Sequence, residues 1–340
     1  MNLKDIGEFG LIARLRARWP QLPSAVVVGP GDDTAALRTH PDRLLLFTVD
    51  AMVEDVHFRR SWMPARDLGW KAMAQNVSDI AAMGGQPTHA LVCLSLPANL
   101  DPQFVDELYD GLDAAASEYG ASIIGGDIVG STGGVAISVS LLGEVEQASL
   151  MRRSGAGVGE VLMVTRELGD AAAGLRLLEA GQSPESGEED AVARHLRPAP
   201  RLDEARILAR SGQVTAAIDL SDGLAGDAVR MAQESGVGVR LCAERLPVGS
   251  ACIKVAERLG LDALELALRG GEDYELLVAA RADAAERAAE LLRHETGTPL
   301  TAVGEVVEPE RGIVLVRADG SETPLEGAFD HFAKPSQSGP

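Results

Sequence analysis

The sequence contains six acidic clusters whose residue types and spacing could bind metal ions. They are Gly29-Pro30-Gly31-Asp32-Asp33, Thr48-Val49-Asp50, Asn76-Val77-Ser78-Asp79, Gly125-Gly126-Asp127, Asp219-Leu220-Ser221-Asp222-Gly223 and Gly270-Gly271-Glu272-Asp273-Tyr274-Glu275. Each cluster is expected at a strand end or in a Gly-rich turn, where a single Asp could simply form the turn or cap a helix. Turns alone do not need paired carboxylates, which raise each other's pKa unless a cation lies between them. Because no Cys or His accompanies these oxygens, the pattern favours a hard ion, Mg²⁺ first.

A magnesium site of this kind predicts a nucleotide ligand, because protein-bound Mg²⁺ commonly bridges carboxylates to phosphates. The usual phosphate-binding loops are missing, since the sequence has neither a G-x-x-x-x-G-K-[ST] motif nor a protein-kinase catalytic loop. ATP carries about four negative charges, which an acidic site cannot hold by itself. Several metal ions must therefore supply most of the positive charge.

Between the clusters, runs of apolar and β-branched residues predict strands, and apolar residues at spacings of three and four predict helices. Strands are expected at Val26–Val28, Leu44–Phe47, Ser122–Ile124, Val135–Leu142, Val161–Thr165, Thr215–Ile218, Val237–Leu241, Leu276–Ala279 and Ile313–Val316. Helices are expected at Met73–Ile80, Phe104–Tyr119, Ala171–Ala180, Leu202–Arg210, Gly226–Glu234 and Ala284–Arg293. This order of elements predicts a mixed α/β fold.

The length of 340 residues allows two domains, each with its own core. We expect the boundary near residue 148, which divides the chain into an N-terminal domain (1–148) and a C-terminal α/β domain (149–340). The stretch 181–190 is polar and without periodicity, and it is expected to be a solvated loop.

The composition excludes several classes of protein. With 51 acidic and 31 basic residues the net charge is −20, which disfavours nucleic acid and anionic membranes as partners. No apolar run reaches the roughly 18 residues of a membrane span, and the first residues have no apolar signal core. The three cysteines fit neither a disulfide framework nor a metal knuckle, and buried thiols are expected. These features predict a cytoplasmic protein.

Nine segments between residues 28 and 332 carry a resemblance to a known family. In order they read VGPGDDTAAL, TVDAMVEDVHF, KAMAQNVSDIAAMGG, IIGGD, RSGAGVGE, HLRPAPR, AIDLSDGL, LRGGEDYEL and FDHF. Together they resemble thiamine-monophosphate kinases, which share a superfamily with aminoimidazole ribonucleotide synthetase, selenophosphate synthetase and the hydrogenase-maturation dehydratase. The resemblance implies ATP-dependent phosphorylation of thiamine monophosphate to thiamine diphosphate, the last step in making that cofactor. It also implies a homodimer whose N-terminal sheets pair, with ATP near the interface.

The resemblance also implies roles for individual residues. The Mg²⁺ ligands would be Asp32, Asp33, Thr48, Asp50, Asp79, Asp127, Asp219 and Asp222, with a backbone contribution from Val49. The contacts to ATP would be Tyr119, Gly126, Asp127, Arg153 and Ser221. The contacts to thiamine monophosphate would be His57, Glu272 and Phe329. Asp79, Asp219 and Arg153 are expected to carry the chemistry.

The residues themselves leave alternatives open at several of these positions. Arg153 is a plausible fork for a phosphate, although Arg152 could serve as well. His57 and Phe329 could instead be packed core residues, and Tyr119 lies on the apolar face of its predicted helix. His195 resembles part of an ordered loop, and no chemical role is expected for it.

Three positions depart from the family pattern. Val49 stands where Thr is frequent, so a backbone carbonyl ligand would survive there and a hydroxyl ligand would not. Ile128 replaces a common hydroxyl residue, and Glu160 replaces an Asp. The first two changes affect single metal contacts and leave the predicted activity unchanged.

The same residues argue against the rival functions. A selenophosphate synthetase would need a reactive Cys early in the chain, and the hydrogenase-maturation relative would need one at the C-terminus; the chain has neither. An enzyme like aminoimidazole ribonucleotide synthetase would share the ATP scaffold but have another substrate pocket. Three features argue against this enzyme, namely His57, the GGEDYEL segment and the FDHF segment. A non-catalytic Mg-nucleotide-binding regulator would not need all the acidic clusters intact.

Overall fold

The computed structural model describes Gly10, residues 23–29 and residues 31–325. Phe329 and the rest of the FDHF segment lie outside these residues. Within the described part, the chain forms two β-sheets that pack against helices. This confirms the predicted mixed α/β fold.

The first sheet is built from six strands of the N-terminal half. They are β1 (Val26–Val28), β2 (Ala35–Arg38), β3 (Arg43–Val53), β4 (Gln86–Pro97), β5 (Ser122–Ser131) and β6 (Ala136–Glu146). Their order across the sheet is β1-β2-β3-β6-β4-β5, which leaves β5 at an edge. All neighbours are antiparallel except β4 and β5, which are parallel.

Two helices, α1 (Ala65–Ala82) and α2 (Pro102–Tyr119), cover one face of this sheet. They approach each other closely because glycine stands at both contact points. A Cβ on Gly69 would lie 2.0 Å from the carbonyl oxygen of Leu108, and one on Gly111 would lie 1.9 Å from that of Arg66. Helix α1 is consequently buried on nearly all sides, including its polar residues Lys71 and Gln75.

The second sheet has seven strands in the order β13-β12-β9-β11-β7-β10-β8. They are β7 (Val161–Thr165), β8 (Val214–Asp219), β9 (Gly238–Cys242), β10 (Leu276–Ala280), β11 (Leu300–Val307), β12 (Ile313–Val316) and β13 (Glu322–Pro324). The helices of this half are α3 (Asp170–Glu179), α4 (Glu189–Leu196), α5 (Leu202–Ser211), α6 (Leu224–Ser235), α7 (Ser250–Leu259), α8 (Ala263–Arg269) and α9 (Ala282–Thr296). Among the described strands of this sheet, β9 and β12 form the parallel pair.

No helix among residues 31–325 covers the other face of the first sheet. Side chains alternate along β3, so that Thr48, Asp50 and Met52 point toward α1 while their neighbours point outward. Large apolar residues lie exposed on this outer face, namely Phe47, Val49, Val53, Leu91 and Val129. An exposed apolar surface of this kind is typical of an interaction face.

Several sequence expectations need correction. The clusters around Asp50 and Asp127 lie inside β3 and β5, and the cluster around Asp79 lies inside α1, although all three were expected at strand ends or in turns. Strand β4 was not predicted because a proline near its start interrupts the apolar alternation; the pairing register with β6 shifts between Pro87 and His89.

The stretch 181–190 is only partly a solvated loop. Its last two residues begin helix α4, and Glu188 is buried, where it forms an ion pair with Arg258 at 3.0 Å. Cys252 is buried as expected, whereas Cys93 is exposed on β4. No helix among the residues described combines the length and apolar content that a membrane crossing requires.

Candidate functional site

A cavity of about 450 Å³ lies between the two halves of the chain and collects most of the acidic clusters. Its walls come from β3, from α1, from the loop before β7, from the end of β8 and from the turn before β10. The predicted site residues that line it are Asp33, Thr48, Val49, Asp50, His57, Asp79, Arg153, Asp219, Ser221, Asp222 and Glu272. Residues far apart in sequence are thus brought to one place.

Three carboxylates form the centre of this site. Ligand oxygens of Asp33, Asp79 and Asp219 all lie within 4.8 Å of one another. Burial raises the pKa values of Asp79 and Asp219 well above the usual range, and the neighbouring carboxylates raise them further. One oxygen of Asp33, Oδ2, is buried without a hydrogen-bond partner among the described residues. Close oxygens, crowded negative charge and an unsatisfied acceptor together fit a bound hard cation.

Hydroxyl groups orient two of these carboxylates. Thr48 on β3 donates a hydrogen bond from Oγ1 to Asp79 at 2.6 Å. Ser78 donates from Oγ to Asp219 at 2.6 Å, across the junction between the two sheets. Each hydroxyl fixes one oxygen of its carboxylate. The same hydrogen bond therefore sets the orientation of the second oxygen of Asp79 and of Asp219.

Arg153 provides positive charge next to this cluster. Its Nη2 donates to Asp33 at 2.6 Å, and its backbone N–H donates to the carboxylate of Asp32 at 3.2 Å. Burial alone would lower the pKa of the Arg153 guanidinium, but Asp33, Asp219 and Asp79 outweigh this effect and raise that pKa above its usual range. Arg153 therefore stays charged. Burial and Asp33 raise the pKa of Asp32 to about 7.

Asp50 and Asp222 extend the acidic site along the cavity. Burial, Asp222 and Asp33 raise the pKa of Asp50 to about 6. Asp222 forms an ion pair with Arg230, and its backbone N–H donates to Asp227 at 3.1 Å. Arg230 also contacts Asp227 at 3.0 Å, so it links this loop to helix α6.

His57 reaches the cavity from the segment after β3. Its Nδ1 accepts a hydrogen bond from the backbone N–H of Val53 at 3.0 Å. In the neutral ring the proton is therefore on Nε2, which makes that nitrogen a donor. His57 lines the cavity and is not a packed core residue.

The turn before β10 presents Glu272 to the cavity. Gly271 has φ +70°, and a Cβ there would lie 2.6 Å from the carbonyl oxygen of Ser221, so glycine is required. The backbone N–H of Glu272 donates to that same carbonyl at 2.8 Å. The turn is thereby bonded to the loop that carries Asp219 and Asp222.

Three of the predicted site residues lie elsewhere within the chain. Tyr119 packs against Trp70 with ring centroids 6.1 Å apart, outside the cavity. Gly126 and Asp127 lie on the edge strand β5. Across the sheet, Asp127 is in register with Ala51 of β3, three strands and roughly 14 Å away. Its side chain is therefore on the outer face of the sheet, whereas that of Asp50 is on the inner face.

Several residues that line the site were not predicted from the sequence. Gln75, Arg230 and Arg269 face the cavity, and an apolar wall is formed by Met52, Val56, Leu175 and Tyr274. One signal was available for α1. Lys71, Gln75 and Asp79 follow one another at a spacing of four, which places three polar side chains along one stripe of this largely buried helix.

Comparison with known proteins places the chain in a family. The AIR synthase related protein N-terminal domain matches residues 31–145, and the corresponding C-terminal domain matches residues 157–317. Thiamine-monophosphate kinase from Aquifex aeolicus is 41% identical over 82% of this chain and 87% of its own length. The enzyme of the same name from Bacillus subtilis is 34% identical over 96% of this chain and 99% of its own.

A solved structure agrees with these relatives. The structure of AaThiL complexed with AMPPCP and TMP superimposes with a TM-score of 0.84 at 36% identity, covering 97% of this chain and 99% of that one. The likeness therefore extends through both sheets and the cavity between them. By sequence and by fold, the chain belongs to the thiamine-monophosphate kinase family.

Proposed function

We propose that this protein transfers the γ-phosphoryl group of ATP to thiamine monophosphate, which yields thiamine diphosphate. The observation that carries this proposal is the cavity in which the carboxylates of Asp33, Asp79 and Asp219 meet beside Arg153. A relative of the same fold has been solved with AMPPCP and TMP, a pair that corresponds to donor and acceptor. The apolar wall of the cavity offers a surface for the heteroaromatic part of the acceptor.

The carboxylate cluster fits Mg²⁺ by its chemistry. Asp33, Asp79 and Asp219 would hold the metal ions, and the predicted ligands Asp32, Thr48, Asp50 and Asp222 lie in or beside the same cavity. Val49 can contribute its backbone carbonyl, since its side chain points outward. When bound, Mg²⁺ supplies the positive charge that allows two phosphate-bearing substrates to approach each other.

The residues of the chain mainly position the substrates. Phosphoryl transfer through a loose transition state needs alignment and charge neutralisation more than covalent chemistry. The phosphate of the acceptor is already ionised at neutral pH and needs no strong base. Arg153 is held by Asp33 and remains charged, so it offsets part of the repulsion between anions of roughly −4 and −2.

We expect the transfer to be direct, without a phosphoenzyme. Incubation with Mg²⁺ and γ-labelled ATP, without acceptor, should leave the protein unlabelled. The competing mechanism uses His57 or an aspartate as a covalent carrier and would give ping-pong kinetics. Label that appears on the protein and then passes to thiamine monophosphate at the rate of turnover would contradict direct transfer.

We also infer that the protein is a homodimer. Phe47, Val49 and Leu91 belong to the exposed apolar face of the first sheet, which a second copy would cover. Asp127 and Gly126 lie on or at the edge of this face, away from the cavity of their own chain. We propose that they serve the cavity of the partner. The role of Tyr119 at ATP and the cytoplasmic location stay predictions, as does the role of Phe329.

The mass in solution tests this inference. Light scattering at the assay concentration should give twice the 35.6 kDa of one chain. Replacing Phe47 with Asp places a charge on the apolar face outside the cavity lining and should give monomers with little activity, while the exposed Leu261→Asp is the control on another surface. Full activity in a monomer would rule out the dimer as the active form.

The boundary between the two units is proposed near residue 148. It falls in the 3-10 turn Gln147–Ser149, after the last strand of the first sheet and before β7. The two family matches end and begin on either side, at residues 145 and 157. The cavity is therefore built from both units, with β3 and α1 from the first and the loop before β7, the end of β8 and the turn before β10 from the second.

An ADP-release assay tests the proposed function against its alternatives. Release should require both Mg²⁺ and thiamine monophosphate. An enzyme like aminoimidazole ribonucleotide synthetase would instead respond to aminoimidazole precursors. A non-catalytic regulator would bind the Mg-nucleotide and release no ADP with either compound.

A further inference from the structure

Three ionisable side chains meet at a wall of the cavity outside the carboxylate cluster. The carboxylate of Glu272 contacts Lys71 Nζ at 2.7 Å through Oε1 and His195 Nδ1 at 3.2 Å through Oε2. The side chains of Lys71 and His195 are 0% and 1% exposed, whereas that of Glu272 is 26% exposed. Two buried groups thus hold the one member of the set that reaches the cavity.

The two supporting residues come from different halves of the chain. Lys71 lies in α1, which packs on the first sheet, and His195 lies in α4, which packs mainly on helix α3 of the C-terminal half. Glu272 itself has φ +62°, a conformation that is uncommon for residues other than glycine. A strained position of this kind persists when its surroundings fix it, and here the backbone bond to Ser221 and the two side-chain contacts do so.

The charges of the three groups balance. Burial alone would raise the pKa of Glu272, but Lys71 and His195 more than offset this and hold that pKa below its usual range. Burial and the neighbouring Lys71 lower the pKa of His195, which favours the neutral ring. Burial lowers the pKa of Lys71 as well, and the adjacent Glu272 acts against this. The ion pair of Lys71 with Glu272 carries no net charge. Glu272 therefore adds an oriented acceptor to the cavity without adding net negative charge opposite the substrate phosphates.

We propose that Lys71 and His195 are positioning residues that hold Glu272 as the carboxylate which recognises the non-phosphate end of the acceptor. The inference rests on the proposed function. Each oxygen of Glu272 has one of these two groups beside it and keeps lone pairs for the ligand. A cationic or N–H-bearing heteroaromatic ring is the partner that such an acceptor selects, and a nucleotide phosphate is the partner that it rejects.

Kinetics for the two substrates separately test this inference. Lys71→Met removes the ammonium group at similar length and should raise the KM for thiamine monophosphate at least about tenfold, with the KM for ATP and kcat changed less than about threefold. Adding Glu272→Gln to Lys71→Met should raise that KM no further than Glu272→Gln alone, because both changes remove the same contact.

A second pair of variants tests His195 without changing a charge. His195→Asn can place an amide N–H where Nδ1 lies and should keep the KM for thiamine monophosphate within about threefold of wild type. His195→Leu cannot donate and should raise it about tenfold. If Lys71→Met is recovered unfolded, this pair decides the question.

The buried pair of Glu188 and Arg258 provides a matched control. Glu188→Gln breaks an ion pair of similar burial outside the cavity and should lower the melting temperature without changing either KM. Equal rises in both KM values, or none for Lys71→Met and His195→Leu, would overturn the inference. A wild-type chain that turns over no thiamine monophosphate would overturn the proposed function, and this inference with it.

Discussion

Asp219→Asn is expected to abolish phosphoryl transfer while the chain remains folded. Asp219 shares the central cluster with Asp33 and Asp79, and loss of one ligand that positions charge at the transferring group should lower kcat about 10³-fold or more. Asn keeps the shape and an oxygen that accepts from Ser78. Asp79→Asn should behave in the same way, because its carboxylate lies in the same cluster. ADP release under saturating substrates measures the effect.

Although Asp219→Asn should lose activity, it should not lose thermal stability when metal is removed. Burial raises the pKa of the Asp219 carboxyl well above its usual range. Above the ordinary pKa of an aspartate, this carboxyl ionises more easily in the unfolded chain than in the folded one, so the folded state loses stability as pH rises. In EDTA at pH 7.5, Asp219→Asn should therefore melt at the same temperature as wild type or higher. Added Mg²⁺ should stabilise wild type and have a much smaller effect on the variant.

Asp170→Asn serves as the control for these measurements. Asp170 is also buried with a raised pKa, but it accepts a hydrogen bond from Cys252 outside the cavity. Its variant should retain both activity and the response to Mg²⁺. Near-normal turnover by folded Asp219→Asn would contradict the role assigned to the cluster.

Arg153→Met should lower kcat about 10² to 10³-fold, the second largest effect that we expect. Arg153 is a fixed positive side chain bonded directly to the central cluster, through Asp33 at 2.6 Å. Without it, bound metal has to offset more of the repulsion between the two phosphate-bearing substrates. Arg153→Lys should recover part of the activity, because charge is restored but the planar fork is not.

The change also breaks a buried ion pair, and this effect has to be separated from catalysis. Removal of one partner of such a pair typically costs about 3 kcal/mol or more. Arg258→Met breaks a comparable pair with Glu188 away from the cavity, with similar exposure of both side chains. It should lower the melting temperature to a similar degree and leave kcat unchanged. Equal losses of kcat in the two variants would show that Arg153 acts through stability.

Much of the local structure follows from the sequence alone. The spacing of apolar residues predicted most helices and several strands of both sheets, since one buried face requires a period of 3.6 or 2. The alternation along residues 43–53 also explains why Thr48 and Asp50 share a face while Val49 has the other. Composition and paired carboxylates indicated a hard-metal site before any fold was known.

The sequence also predicted acidic clusters as chemical sites, although it assigned some of them to the wrong kind of element. Asp79 lies in a helix and Asp127 within a strand, because tertiary packing extends elements through residues that by themselves favour turns. Local propensity is a weak signal there, and burial against a neighbouring helix or strand outweighs it.

Which clusters meet was decided by the tertiary structure. Ser78 and Asp219 are 141 residues apart and bond to each other only because α1 docks against the end of β8. The contacts of Lys71 and His195 with Glu272 arise in the same way, and the orientation of Asp127 away from its own cavity depends on strand order. Residue types and periodicity determine what a side chain can do and which face it occupies. The docking of the two sheets determines its partners, because contacts between distant segments leave no periodic trace in the chain.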